Sequence, residues 1–305
     1  MSPVIGVSTD PVQEERAKRE AEKKQALAEL EAWSNQKLTL ERPVFFVPGW
    51  AGEEGKCWTG YTKVLKSHQS VKFWINRIVC EPSRSQFVHY LNFTRKESLS
   101  CPTFLEFAEL LKARVYEKVS PSEPLDLIGH SMGGLDIIAT LTLGDEPLKN
   151  PVVNCVAVGS PLQGIFYGKL IPKLRKLLPG LFEGKKEWQD HHYRQLKNLD
   201  HNAEPIHLVN QLNLRRRFLA RVERFYPILG TQDAVVGRSA RLKTEGLSQE
   251  DKQRIIELTI AGATHNGVLG LTHDPRTVVG LLRLLVGMPL EMLIGNKGFV
   301  IGGPI

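Results

Sequence analysis

The stretch Leu127-Ile128-Gly129-His130-Ser131-Met132-Gly133-Gly134 decides the reading of this chain. Leu125 to Ile128 is a short apolar run of strand character and Met132 to Leu143 is an amphipathic segment of helix length, so Gly-x-Ser-x-Gly falls on a strand-to-helix turn. So sharp a turn leaves no room for Cβ atoms on either side of the serine, which accounts for Gly129 and Gly133. It holds Ser131 exposed above a sheet, with the Met132 N–H at a helix start, directed toward a developing oxyanion. Ser131 is the candidate nucleophile.

Working outward, similar apolar runs recur at Val44 to Val47, Phe73 to Val79, Val152 to Val158, Arg224 to Leu229 and Ile255 to Ile260, all read as strands. Between them lie the helical segments Thr103 to Val119 and Pro275 to Val286, the latter opened by an Asp274-Pro275 cap. This alternation predicts an α/β fold: a mostly parallel sheet with helices on both faces. From about Leu162 to Arg221 the alternation stops, and a helical cap inserted between two strands is expected.

At the N-terminus, Asp10-Pro11-Val12-Gln13 reads as a capped helix start, with Gln13 closing a capping box and the helix running to about Trp33. Only Leu27, Leu30 and Trp33 offer it an apolar face, so it is expected to dock at its C-terminal end. The organisation is then an N-terminal charged helix and linker at 1–42, an α/β domain at 43–288 with its cap at about 162–221, and a hairpin-like tail at 289–305.

The chain has 42% hydrophobic and 24% charged residues, enough for a sizeable core and against disorder. Its 40 Lys+Arg against 33 Asp+Glu leave +7, and Ile165 to Arg221 alone holds 12 basic and 5 acidic residues. The basicity therefore belongs to the cap. Four cysteines (Cys57, Cys80, Cys101, Cys155) show neither CxxC pairs nor zinc spacing, leaving room for one or two disulfides. Met1 to Asp10 lacks a signal-peptide pattern, and Val278 to Ile294 is interrupted by Arg283, Pro289 and Glu291, so a soluble or peripheral protein of unassigned compartment is expected.

With the serine turn in this context, the chain resembles the α/β-hydrolase superfamily, in its lipase/esterase branch and compact form, over about Pro43 to Val286. The family's first loop is matched by Val47-Pro48-Gly49-Trp50-Ala51-Gly52, which implies Trp50 as second oxyanion donor beside Met132, although Pro48 stands where the family has histidine. The family order Ser, Asp/Glu, His implies Asp233, in Gly230-Thr231-Gln232-Asp233, as the carboxylate. It implies His265, in Gly262-Ala263-Thr264-His265, as the base. His273 is the rival, but it lies beside the Asp274 cap and further from the strand end. His130 is a positioning residue in the family, and Gly159-Ser160-Pro161-Leu162-Gln163-Gly164 is similar to a stretch lining its site.

In the cap, Leu170, Leu174, Leu177, Leu178 and Leu181 share one helical stripe, with Lys169, Lys173 and Lys176 opposite. A mobile lipase lid meeting an anionic lipid surface and a permanently packed helix both satisfy this pattern. Phe166, Tyr167, Phe182, Trp188 and Tyr193 suit an apolar acyl chain, and Arg215-Arg216-Arg217 comes without any nucleic-acid-binding motif. His191, His192, His201 and His207 lack metal-ligand spacing, so neither a metal nor a cofactor is expected. The resemblance implies a carboxylic ester hydrolase acting on acyl-ester or lipid substrates. Two alternatives remain: a catalytically silent lipid- or protein-binding module, and a phospholipase, thioesterase or amide hydrolase with the same triad.

Overall fold

The central strands of the sheet, Val44–Val47, Leu125–His130 and Val152–Val158, are almost wholly buried, with both faces covered, and the pleat sends alternate side chains to opposite helical layers. A computed structural model describes residues 10–49, 58, 70–101, 103–144, 146–168, 171, 186–265, 270–288 and 299–301. Its strands are β1 (Val44–Val47), β2 (Val88–Tyr90), β3 (Leu125–His130), β4 (Val152–Val158), β5 (Val222–Gly230), β6 (Leu258–Ile260) and β7 (Phe299–Ile301). They form one sheet in the order β2-β1-β3-β4-β5-β6-β7. The first six are parallel, and β7 pairs antiparallel with β6. The other arm expected of the tail hairpin, Met292 to Ile294, lies outside the described residues.

The described helices include α1 (Pro11–Gln36), α2 (Val71–Ile78), α3 (Ser83–Phe87), α4 (Arg95–Ser100), α5 (Phe104–Tyr116) and α6 (Met132–Thr142). They continue with α7 (Lys186–Asn198), α8 (Glu204–Val209), α9 (Leu212–Leu219), α10 (Gln249–Gln253) and α11 (Pro275–Leu285). Phe45, Leu127, Cys155 and Phe225 face one core with α5, α6 and α9. Phe46, Ile128, Val156, Ile228 and Ile260 face the other, with α1, α2 and α11. Among its described residues the insertion between β4 and β5 contains α7, α8 and α9, and an isolated bridge joins Ile165, before α7, to Asp200, after it.

The expected strand at Phe73 to Val79 is instead helix α2. Its buried positions, Val71, Trp74, Ile75 and Ile78, fall at i, i+3, i+4 and i+7, and the Ser70 hydroxyl caps it by accepting the Phe73 N–H at 3.3 Å. The strand expected from Ile255 shortens to Leu258–Ile260, with Ile255 making only an isolated bridge to Phe225.

Asp10 caps α1 by accepting the Val12 N–H at 3.0 Å, but among the described residues Gln13 does not close the box. Leu30 and Trp33 are buried as expected, whereas Leu27 is exposed and Ala26 takes the inward position. Docking extends well above these residues. Glu22 pairs with Arg276 and Glu29 with Arg283, so the partners lie seven residues apart on both helices and α1 runs parallel to α11. Among the described residues no helix is long and apolar enough to cross a membrane.

Candidate active site

Three loops leave the C-terminal ends of β3, β5 and β6 on the same edge of the sheet, where a parallel α/β fold gathers its chemistry. Between β3 and α6, Ser131 adopts φ 54°, ψ −125°, a conformation costly for any residue with a Cβ. Two glycines make the turn feasible. A Cβ on Gly129 would come within 2.5 Å of the Gly133 carbonyl carbon and the Gly134 nitrogen, and one on Gly133 within 2.6 Å of the Val47 and Pro48 carbonyl oxygens. The end of β1 is thus pressed against the serine turn. Ser131 donates its N–H to Val158 at 3.0 Å, and Met132 is the first residue of α6, where a helix leaves its amide without an intrahelical acceptor.

Beyond β5, the Asp233 carboxylate is held from both sides. Its Oδ1 accepts the Val235 and Val236 N–H groups, each at 2.9 Å, and its Oδ2 lies 2.9 Å from His265 Nδ1. Burial opposes its charge, but the bond and charge of His265 and the two amides outweigh burial, leaving the carboxyl below its ordinary range. Beyond β6, His265 turns its other nitrogen, Nε2, to within 3.0 Å of Ser131 Oγ. A carboxylate at Nδ1 fixes the proton there and leaves Nε2 to accept the serine proton. Both His265 and Asp233 are buried.

The arrangement separates the two candidate histidines. His273 Nδ1 lies 3.1 Å from the Thr272 hydroxyl, while Ser131 meets the ring of His265. His130 is buried with its ring centroid 5.1 Å from that of His265 and 5.9 Å from that of Trp58. Burial first, and then the neighbouring His265, pushes its pKa down to about 3, so it puts no positive charge beside the other imidazole.

Gly159 belongs to the stretch that the resemblance sets along the site, but the sequence assigns it no role of its own. It sits at φ +55°, and a Cβ there would lie 3.3 Å from both Asp233 Oδ2 and His265 Nδ1 and 3.0 Å from Leu271 Cδ1. Its bare α-carbon makes space for the Asp-His pair. The Gly159-Ser160-Pro161 motif at the end of β4 was its only sequence signal.

Trp50 and the leucine stripe from Leu170 to Leu181 lie outside the described residues, as do Phe182 and the Trp188 side chain. In the described cap, Phe166 is 59% exposed, whereas His191 and His192 are buried on α7. The basic run is partly engaged in structure. Buried Arg215 donates to the Asn210 carbonyl at 3.1 Å and also to that of Lys243, and Arg216 donates to the Gly246 carbonyl at 2.8 Å. Among the described residues no group of three or more His, Cys, Asp or Glu is arranged to hold a metal, and Cys80, Cys101 and Cys155 are free thiols.

No family model matches the chain, and no curated protein matches it by sequence. Solved structures do. Phospholipase PlaB from Legionella pneumophila is 14% identical at a TM-score of 0.54, over 84% of this chain and 64% of that protein. Esterase RhEst1 from Rhodococcus sp. ECU1013 is 15% identical at a TM-score of 0.44, over 81% of this chain and 90% of that one. The type II thioesterase YbtT of the yersiniabactin pathway is 12% identical at 0.46, over 80% and 93%. With its parallel sheet, flanking helices and inserted helical cap, the chain has the α/β-hydrolase fold.

Proposed function

We propose that the chain is a serine hydrolase of carboxylic esters, with Ser131 as nucleophile, His265 as general base and acid, and Asp233 as the carboxylate that orients His265. The observation that carries this reading is the unbroken relay from Ser131 Oγ to His265 Nε2 at 3.0 Å and from His265 Nδ1 to Asp233 Oδ2 at 2.9 Å. In the forward step His265 takes the serine proton as Oγ adds to the acyl carbon. The Met132 amide, with that of Trp50, receives the oxyanion. His265 then gives its proton to the departing alcohol, leaving an acyl-enzyme. A water molecule repeats the sequence, with His265 taking its proton, and releases the acid.

An acyl ester with an apolar chain fits Phe166, exposed in the cap beyond the Gly159 turn. The basic cap would meet anionic lipid through residues such as the exposed Arg217. A fluorophosphonate probe should label Ser131, and a graded acyl-ester series with and without emulsified substrate should find turnover. Preference for the emulsion identifies a lipase and preference for soluble short esters an esterase. Absence of both labelling and turnover overturns the proposal in favour of a silent binding module.

A further inference from the structure

The proposed base lies on a segment whose two ends are held by one side chain. The segment leaves β6 at Ala261 and enters α11 after Asp274, and it carries His265. Arg276, in the first turn of α11, is fully buried and spans its ends. Its Nη2 donates to the Ala261 carbonyl at 2.6 Å and to Asp274 Oδ2 at 2.9 Å, and its Nε donates to Asp274 Oδ1 at 2.9 Å. Its Nη1 donates to Glu22 Oε2 of α1 at 3.1 Å. The same Asp274 caps α11 by accepting the Arg276 N–H at 3.0 Å.

The four bonds leave three separate nitrogens of one planar group, whereas a lysine ammonium offers three N–H donors from a single nitrogen and cannot reproduce the set. The start of the segment also lies close to α1. At Gly262, with φ +76°, an added Cβ would meet Arg19 Nη1 of α1 at 2.9 Å. Between its ends the segment is closed by the Leu271 N–H on the Thr264 carbonyl at 2.9 Å, next to His265 itself.

We propose that Arg276 is a positioning residue for the hydrolytic site: it clamps both ends of the His265 segment and, through Glu22, makes α1 part of the support that sets the His265 Nε2 to Ser131 distance. The proposal rests on the function proposed above. It also gives α1 a task beyond covering apolar surface. The ion pair between Glu29 and Arg283, a heptad further along, also ties α1 to α11, and both residues lie outside the segment in sequence, so helix docking and base positioning can be tested separately.

The test compares Arg276→Lys, Glu22→Gln and Glu29→Gln in the full chain. Three readouts are taken: kcat and KM on an ester, fluorophosphonate labelling rate, and the low-field proton resonance of the His265 Nδ1–H bonded to Asp233. Arg276→Lys should lower kcat and labelling by roughly ten- to a hundredfold, with KM within about twofold, because a small displacement of the base costs attack geometry and not binding. The low-field resonance should shift or broaden. Glu22→Gln should move the same readouts less, and Glu29→Gln should lower the melting temperature while leaving kcat unchanged. A folded Arg276→Lys with wild-type kcat overturns the proposal, as does an equal kcat loss in Glu29→Gln and Glu22→Gln. Should Arg276→Lys not fold, Glu22→Gln decides. A wild-type protein that neither labels nor turns over refutes the hydrolase reading, and the resonance, compared between wild type and Glu22→Gln, then judges the clamp by itself.

Discussion

His265 Nε2 stands 3.0 Å from Ser131 Oγ, across the gap between the β6 and β3 loops. His273 instead has Nδ1 3.1 Å from the Thr272 hydroxyl, at the entrance to α11. The two histidines are therefore expected to respond oppositely to removal. His265→Ala should lower turnover on the order of a millionfold, as loss of the base does in other triads, and should abolish fluorophosphonate labelling in a folded protein. His273→Ala should keep most of its activity. Steady-state kinetics on the two purified variants checks this, and the reverse pattern would transfer the role to His273.

Asp233→Asn tests orientation separately from charge transfer. An amide at this position can keep its oxygen toward the Val235 and Val236 N–H groups, but it then presents N–H to His265 Nδ1. That favours the tautomer with Nε2 protonated, which cannot accept the serine proton. Turnover should fall by roughly ten-thousandfold while circular dichroism remains unchanged. A variant within tenfold of wild type would remove Asp233 from the relay.

Gly159→Ala should strike the same pair from outside it. The new methyl would press on both Asp233 Oδ2 and His265 Nδ1 from 3.3 Å, at a backbone angle of φ +55° that alanine resists. The strained backbone alone should cost about 1 to 3 kcal/mol in denaturant unfolding. Because the methyl adjoins the relay, kcat should fall at least tenfold while KM changes little. Loss of stability with unchanged kcat would make Gly159 a turn residue and nothing more.

The serine turn and most central strands were legible because each is a local matter: a continuous apolar run, or glycines flanking a serine at the end of one. Helix α2 was not. Val71-Lys72-Phe73-Trp74-Ile75-Asn76-Arg77-Ile78 is rich in β-branched and aromatic residues, and only tertiary burial of Trp74 and Ile78 shows that the helical period wins. Short β2, three half-buried residues at the sheet edge, has too little pattern to read. The Arg276 clamp was illegible for another reason. Its partners, Glu22, Ala261 and Asp274, are distributed over most of the chain and meet only when α1 lies along α11. An arginine in an apolar helix reads as surface until the fold buries it.

Asp126, on β3 below the serine turn, makes stability depend on pH in a direction opposite to that of most paired carboxylates. Burial raises its pKa against the opposing effects of Arg42, whose Nε donates to Oδ2 at 2.9 Å, and of the Asn154 N–H on Oδ1 at 2.9 Å. The balance leaves it at about 6. An unfolded aspartate titrates near about 3.9, so between these values the folded protein keeps a proton that the unfolded chain has released. Stability from this residue is then complete below about pH 4 and is lost as pH rises through the folded value. Asp126→Asn cannot titrate there, yet it keeps an oxygen for the Asn154 N–H. Urea unfolding of both proteins should show wild type losing about 2 kcal/mol relative to the variant between pH 4.5 and 7. A constant difference across that range would mean that Arg42 holds Asp126 ionised despite its burial.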